Sequence, residues 1–149
     1  MPAPGEAAVG TIIGVLEGRT MTDITALDGT VLHIDDNSVA IVAGPYPGDP
    51  PNRSYVTGPG PAVIATNEAA AALVGRLHPK EALAILTRPN NTPVWIKGGA
   101  VTLIRSPIAG DTPPGETVGA VLYVGAHRQA VEEDVATARA TINSHGGNV

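Results

Sequence analysis

The sequence predicts a mainly β fold with short α-helices, an α+β arrangement of two tandem small β-rich units that each end in a helix. Three observations point there. Apolar residues make up 43% of the 149, but aromatics only 3% and Phe is absent, so the core must come from Val, Ile, Leu and Ala, which suit thin β-layers. The 18 Gly and 14 Pro exceed what a helical bundle carries and fit many short strands joined by tight turns. The chain also matches itself at a fixed spacing.

Residues 24–51, ITALDGTVLHIDDNSVAIVAGPYPGDPP, align without gaps on residues 86–113, LTRPNNTPVWIKGGAVTLIRSPIAGDTP, an offset of 62. Thr25/Thr87, Thr30/Thr92, Ile34/Ile96, Val39/Val101, Pro45/Pro107, Gly48/Gly110, Asp49/Asp111 and Pro51/Pro113 are identical. After the Pro-rich loop the match resumes at an offset of 68, with Tyr55-Val56 against Tyr123-Val124, which gives the second copy six extra loop residues. Tandem duplication is the expectation. The divisions are an arm (1–8), a first repeat with an extra N-terminal strand (9–77), a linker (78–83), a second repeat (84–142) and a tail (143–149).

Each copy has the same punctuation. Strands at 22–27 and 83–88 run into Asp28-Gly29 and Asn90-Asn91, dipeptides suited to two-residue hairpin turns, and strands follow at 30–34 and 92–97. Residues 39–42 and 101–104 are apolar runs too short for helices, as expected of strands covered on both faces. Pro45, Pro47, Pro50, Pro51 and Pro107, Pro113, Pro114 then break regular structure. Strand pairs are expected at 54–57 with 61–65 and at 117–124 with 127–131. Thr66 or Asn67 caps a helix ending at His78-Pro79. In the second copy Val131, Val135, Ala138 and Ile142 form one helical stripe behind Glu132, Glu133 and Asp134. Residues 10–17, GTIIGVLE, read as an additional strand, and both ends have disorder-prone composition.

The stretch ILTRPNNTPVWIKGGAVTLIR, followed by a Thr-Val strand, VLYVGAHRQAV and an acidic terminal helix, resembles the small FlbD/SwrD-type domain of flagellar operons. The likeness covers residues 84–142 well and 22–77 faintly, and Asn91 stands where that family prefers Gly. It implies a small β-domain that is not enzymatic and brings no catalytic residues. A fainter likeness to the start of CsrA, LTR before a strand, would imply RNA binding; the net charge of −5 and the lack of a basic cluster argue against that.

Little in the chain carries chemistry. His33, His78, His127 and His145 are scattered, and the absence of Cys excludes thiolate sites and disulfides. Asp35-Asp36 lacks an oxygen-rich loop, and Ser38, Ser54, Ser106 and Ser144 lack a nucleophile-elbow context. The prolines of Gly58-Pro-Gly-Pro remove amides that a phosphate cradle needs. Asn52-Arg-Ser and Asn90-Asn-Thr are formal glycosylation sequons. No enzyme activity, metal or cofactor is expected, nor a specific nucleic acid. With no basic leader and no apolar run near the roughly 18 residues a span needs, the reading is a soluble protein without a signal peptide.

Two features point to protein contacts instead. Alternation on strand 92–97 turns Val94 and Ile96 inward and Trp95, the only Trp, outward with Pro93 and Lys97, where either a partner chain, or the other repeat or the extra N-terminal strand, would cover it. The two copies also differ in charge. Residues 24–51 carry Asp28, Asp35, Asp36 and Asp49 for a net −4, whereas 86–113 carry Arg88, Lys97, Arg105 and Asp111 for a net +2. Opposed patches of this kind orient head-to-tail contacts. Trp95, Arg88, Lys97, Arg105, Asp28, Asp35 and Asp36 are therefore the expected interface residues. The expectation is a structural subunit of a homo-oligomeric assembly, most concretely a virion accessory such as a phage capsid decoration or head-tail protein. The alternative is a small cytoplasmic FlbD-like regulatory or adaptor module that binds a protein partner.

Overall fold

The computed structural model describes residues 15–16 and 19–149. Within them the fold is mainly β: three antiparallel sheets and two short helices. The first half comprises β1 (Val15–Leu16), β2 (Arg19–Thr25), β3 (Val31–Asp35), β4 (Ile41–Ala43), β5 (Ser54–Thr57), β6 (Ile64–Thr66) and α1 (Ala70–Arg76). The second comprises β7 (Leu83–Thr87), β8 (Pro93–Lys97), β9 (Val101–Arg105), β10 (Ala120–Val124), β11 (His127–Val131) and α2 (Val135–Asn143). The sheets run β1-β2-β3, β6-β5-β4-β8-β7 and β11-β10-β9. The N-terminal arm lies outside the described residues, as does the extra strand apart from β1. No described helix is long and apolar enough to cross a membrane.

The hairpin turns differ from the two-residue form the sequence suggests. Gly29 N–H donates to the Ala26 carbonyl and Ala26 N–H to the Thr30 carbonyl; Asn91 to Arg88 and Arg88 to Thr92 repeat the pattern. Only the last loop residue has positive φ, 90° at Gly29 and 66° at Asn91. This is a three-residue loop, a type I turn closed by a left-handed bulge residue. Asp28 and Asn90 are without positive φ and use their side chains to accept from the Thr30 and Thr92 amides.

The halves follow one order of elements, and corresponding positions can be read from strand register. Short 3-10 turns occupy 36–38 and 98–100, and tight turns closed by Asp49 N–H to Tyr46 and Asp111 N–H to Ile108 keep the offset of 62. Beyond the Pro-rich loops the register corrects the sequence alignment. Ile41 opposes Thr57 while Leu103 opposes Tyr123, so Thr57 matches Tyr123 at an offset of 66, and the longer loop carries four extra residues. Ser54 opposes Thr66 and Ala120 opposes Val131; the helices then start in step at Ala70 and Val135.

Two apolar clusters make the core, and the middle sheet serves both. Strand alternation sends Ile41 and Ala43 of β4, with Val94 and Ile96 of β8, toward Leu122, Val131, Ala138 and Ile142. It sends Val42 and Trp95 to the opposite face, where they meet Ile24, Ile34, Leu73 and Leu77. β4 is buried at every position, as its unbroken apolar run predicts. β9 does not follow. It is an edge strand with Thr102 and Leu103 exposed, so the expectation of cover on both faces fails there within the described chain.

Both helix starts also depart from expectation. Thr66 ends β6 and its hydroxyl donates to the Thr25 carbonyl; Asn67 accepts from Arg53, and α1 begins after Ala69 without a side-chain cap. In the second half Val131 closes β11 rather than opening a helix, and Glu133 holds the Thr87 amide and hydroxyl. Asp134 is the cap, accepting from Thr137 N–H at 2.8 Å. The residues after α2 fold back: Arg139 and Asn143 both donate to the Val149 carbonyl. Gly98 permits this path, because a Cβ there would collide with the Ile142 and His145 carbonyls.

Candidate interaction surfaces

Trp95 lies where alternation puts it, away from the core of its own half, but it is 9% exposed because the first half covers it. It is an anchor between halves of one chain and offers no free surface to a partner. Arg88 is corrected more strongly. At 3% exposed it reaches from the β7–β8 turn into the first half, where Nη2 donates to the Gly44 and Pro45 carbonyls and Nε to Thr92. Its guanidinium sits 4.7 Å from the Tyr46 ring centre, and Nη1 is buried without a hydrogen-bond partner among the described residues. Burial lowers its pKa. Opposite it, Tyr46 packs on Tyr55, whose hydroxyl donates to Asp49. That bond and the Tyr46 amide hold the Asp49 carboxylate below its ordinary pKa.

The other charged candidates serve turns. Asp28 caps its own hairpin loop. Asp35 accepts from Asn37 N–H, and Lys97 donates to the Asn37 carbonyl. Asp36 is buried, one oxygen accepting from His78 N–H at 2.9 Å and the other left without a hydrogen bond among the described residues. Arg105 pairs with Asp111 at 2.7 Å and lies against the Tyr123 ring. The guanidinium and the Ile108 amide pull the Asp111 pKa down to about 2, and Asp111 in turn raises that of Arg105. Of the expected patch residues, Arg88 and Asp36 are thus buried, Asp28 is exposed, and Asp35, Lys97 and Arg105 are half-buried.

Exposed apolar side chains mark a different surface. Leu103 on β9 is 47% exposed, whereas Ile41 at the corresponding place on β4 is 6% exposed. Met21 on β2 is 37% exposed against 7% for its counterpart Leu83. Beside β9 a groove of about 400 Å³ is lined by Leu103, Ile104, Val135, Arg139 and Val149. In the first half the positions matching Ile104, Val135 and Arg139 are Val42, Ala70 and Val74, and these are buried with Leu83 and Trp95 of the second half. The groove is therefore the counterpart of a site that is filled elsewhere in the same molecule. Sequence reasoning missed it, although the apolar run at 101–104 was its signal.

Among the described residues no three His, Asp or Glu side chains gather as a metal site. Comparison with known proteins finds no matching family, no similar curated protein and no similar solved structure.

Proposed function

We propose that the chain is a structural subunit that self-associates into a larger assembly, of which a phage capsid decoration or head-tail protein is the most concrete case. The observation that carries this reading is the pair Met21 and Leu103, apolar and exposed at positions whose counterparts are buried by a neighbouring half. Exposed apolar positions of this kind, Leu103 on the edge strand β9 and Met21 on β2 beside the edge strand β3, favour association over a lone monomer. A non-enzymatic role is supported by how the polar side chains are used: Asp28, Asp49, Asp111 and Asp134 each bind a turn or cap amide, and Glu133 ties β7 to the α2 entry.

The test is mass in solution by light scattering, with electron microscopy of the same sample. Rings, short filaments or discrete multimers well above 15.1 kDa are expected. A monomer at high concentration would overturn self-assembly and favour the FlbD-like adaptor, which would use its open edges for a different protein.

A further inference from the structure

The chain already contains one junction between β-units, and it supplies the geometry for a second. Within the molecule β4 of the first half pairs antiparallel with β8 of the second: Ile41 faces Ile96, Val42 faces Trp95 and Ala43 faces Val94. The counterpart of β4 is β9 and the counterpart of β8 is β3. Among the described residues both are sheet edges, β9 closing β11-β10-β9 and β3 closing β1-β2-β3. Each edge lacks the neighbour that its counterpart has.

The side chains agree with the backbone. In the internal junction Leu83 and Trp95 cross from the second half and pack with Val42, Ala70 and Val74. The residues matching Leu83 and Trp95 are Met21 and His33, both exposed on the β2–β3 hairpin. The residues matching the surface they would meet line the groove beside β9. The groove is bordered by Val149, which Arg139 and Asn143 hold, and on the hairpin His33 meets Asp23 at 2.6 Å while Met21 stays exposed.

Resting on the assembly reading above, we infer that β9 of one copy pairs antiparallel with β3 of the next, Leu103 opposite Ile34, Ile104 opposite His33 and Arg105 opposite Leu32. Met21 and His33 of the second copy then enter the groove between β9 and α2. The contact joins different surfaces, so it propagates head to tail and either closes a ring or continues as a filament. Backbone ladder bonds give the affinity, and the alternation of side chains sets the register.

The absence of native Cys makes disulfide trapping direct. Directly opposed strand residues bring Cβ atoms close to disulfide distance. Ile104→Cys protein is mixed with His33→Cys protein under mild oxidation and run on a denaturing gel. The expected result is a crosslinked heterodimer at about tenfold higher yield than for Ile104→Cys mixed with Leu32→Cys, which is off register by one residue. Equal yields, or crosslinking of Ile104→Cys with itself, would overturn this seam while leaving self-assembly intact, because light scattering reads assembly separately. A monomer would overturn both. If a variant fails to fold, hydrogen exchange of the unmodified protein decides: amides of β3 and β9 must slow on association, and unchanged exchange at either edge sinks the pairing.

Discussion

Trp95 on β8 lies directly across from Val42 on β4, and this cross-strand pair carries the second half of the chain into the core of the first. The single Trp is therefore part of the fold itself. Trp95→Ala should destabilise the protein by about 3 to 5 kcal/mol, the ordinary cost of emptying a large aromatic site. Denaturant unfolding checks this. A variant of wild-type stability with only an association defect would return Trp95 to the role its outward position in the sequence suggested.

Leu103 and Met21 should behave in the opposite way. Each is exposed in the single chain, so Leu103→Asp or Met21→Asp should change the melting temperature of the dissociated protein little, while shifting assemblies to monomer. Sedimentation beside thermal melts reads both quantities. Loss of folding with intact assembly would contradict the reading.

Asn91 holds a φ of 66° in the β7–β8 turn, where its counterpart in the first half is Gly29. An L-residue pays a steric penalty there that glycine avoids, so Asn91→Gly should stabilise by about 0.5 to 1 kcal/mol. Destabilisation would show that the Asn91 side chain has a use beyond the turn.

The Arg105–Asp111 pair predicts an acid response. Asp111 has its pKa lowered from 3.8 to about 2 in the folded chain, so its contribution is complete above the unfolded value and is lost as pH falls from about 4 to about 2. Asp111→Asn should flatten the stability profile across that interval and leave its neutral side nearly parallel to wild type. Chemical unfolding at stepped pH measures it, and an unchanged acid limb would rule out the pair as its source.

Turns and strands were legible because their signals are local. Asp28-Gly29 and Asn90-Asn91 mark hairpins, and 39–42 marks a strand covered on both sides. Alternation likewise set which way Trp95 points. What covers Trp95 was not legible, since its neighbours Val42 and Leu73 lie far along the chain and no local pattern connects them. Arg88 illustrates the same limit: a cation in a turn reads as surface, and its burial depends on two carbonyls, Gly44 and Pro45, from the other half. The slip from an offset of 68 to 66 came from aligning Tyr55 with Tyr123, a match of residue type that strand register does not respect. The open edge at β9 was hidden for a related reason, because the run at 101–104 has the composition of a covered strand whatever does the covering.

The placement of β4 bears on how the protein comes apart. Ile41 and Ala43 complete one cluster and Val42 the other, while Leu83 and Trp95 return the exchange. A fragment ending at residue 77 would keep α1 yet lose Leu83 and Trp95, which pack in the same cluster, and a fragment starting at 84 would lack β4, one of the two strands that border β8. Neither half is expected to fold as a free-standing module. Melting should therefore be one all-or-none event, with calorimetric and van't Hoff enthalpies equal, and the two excised pieces should regain structure only when mixed.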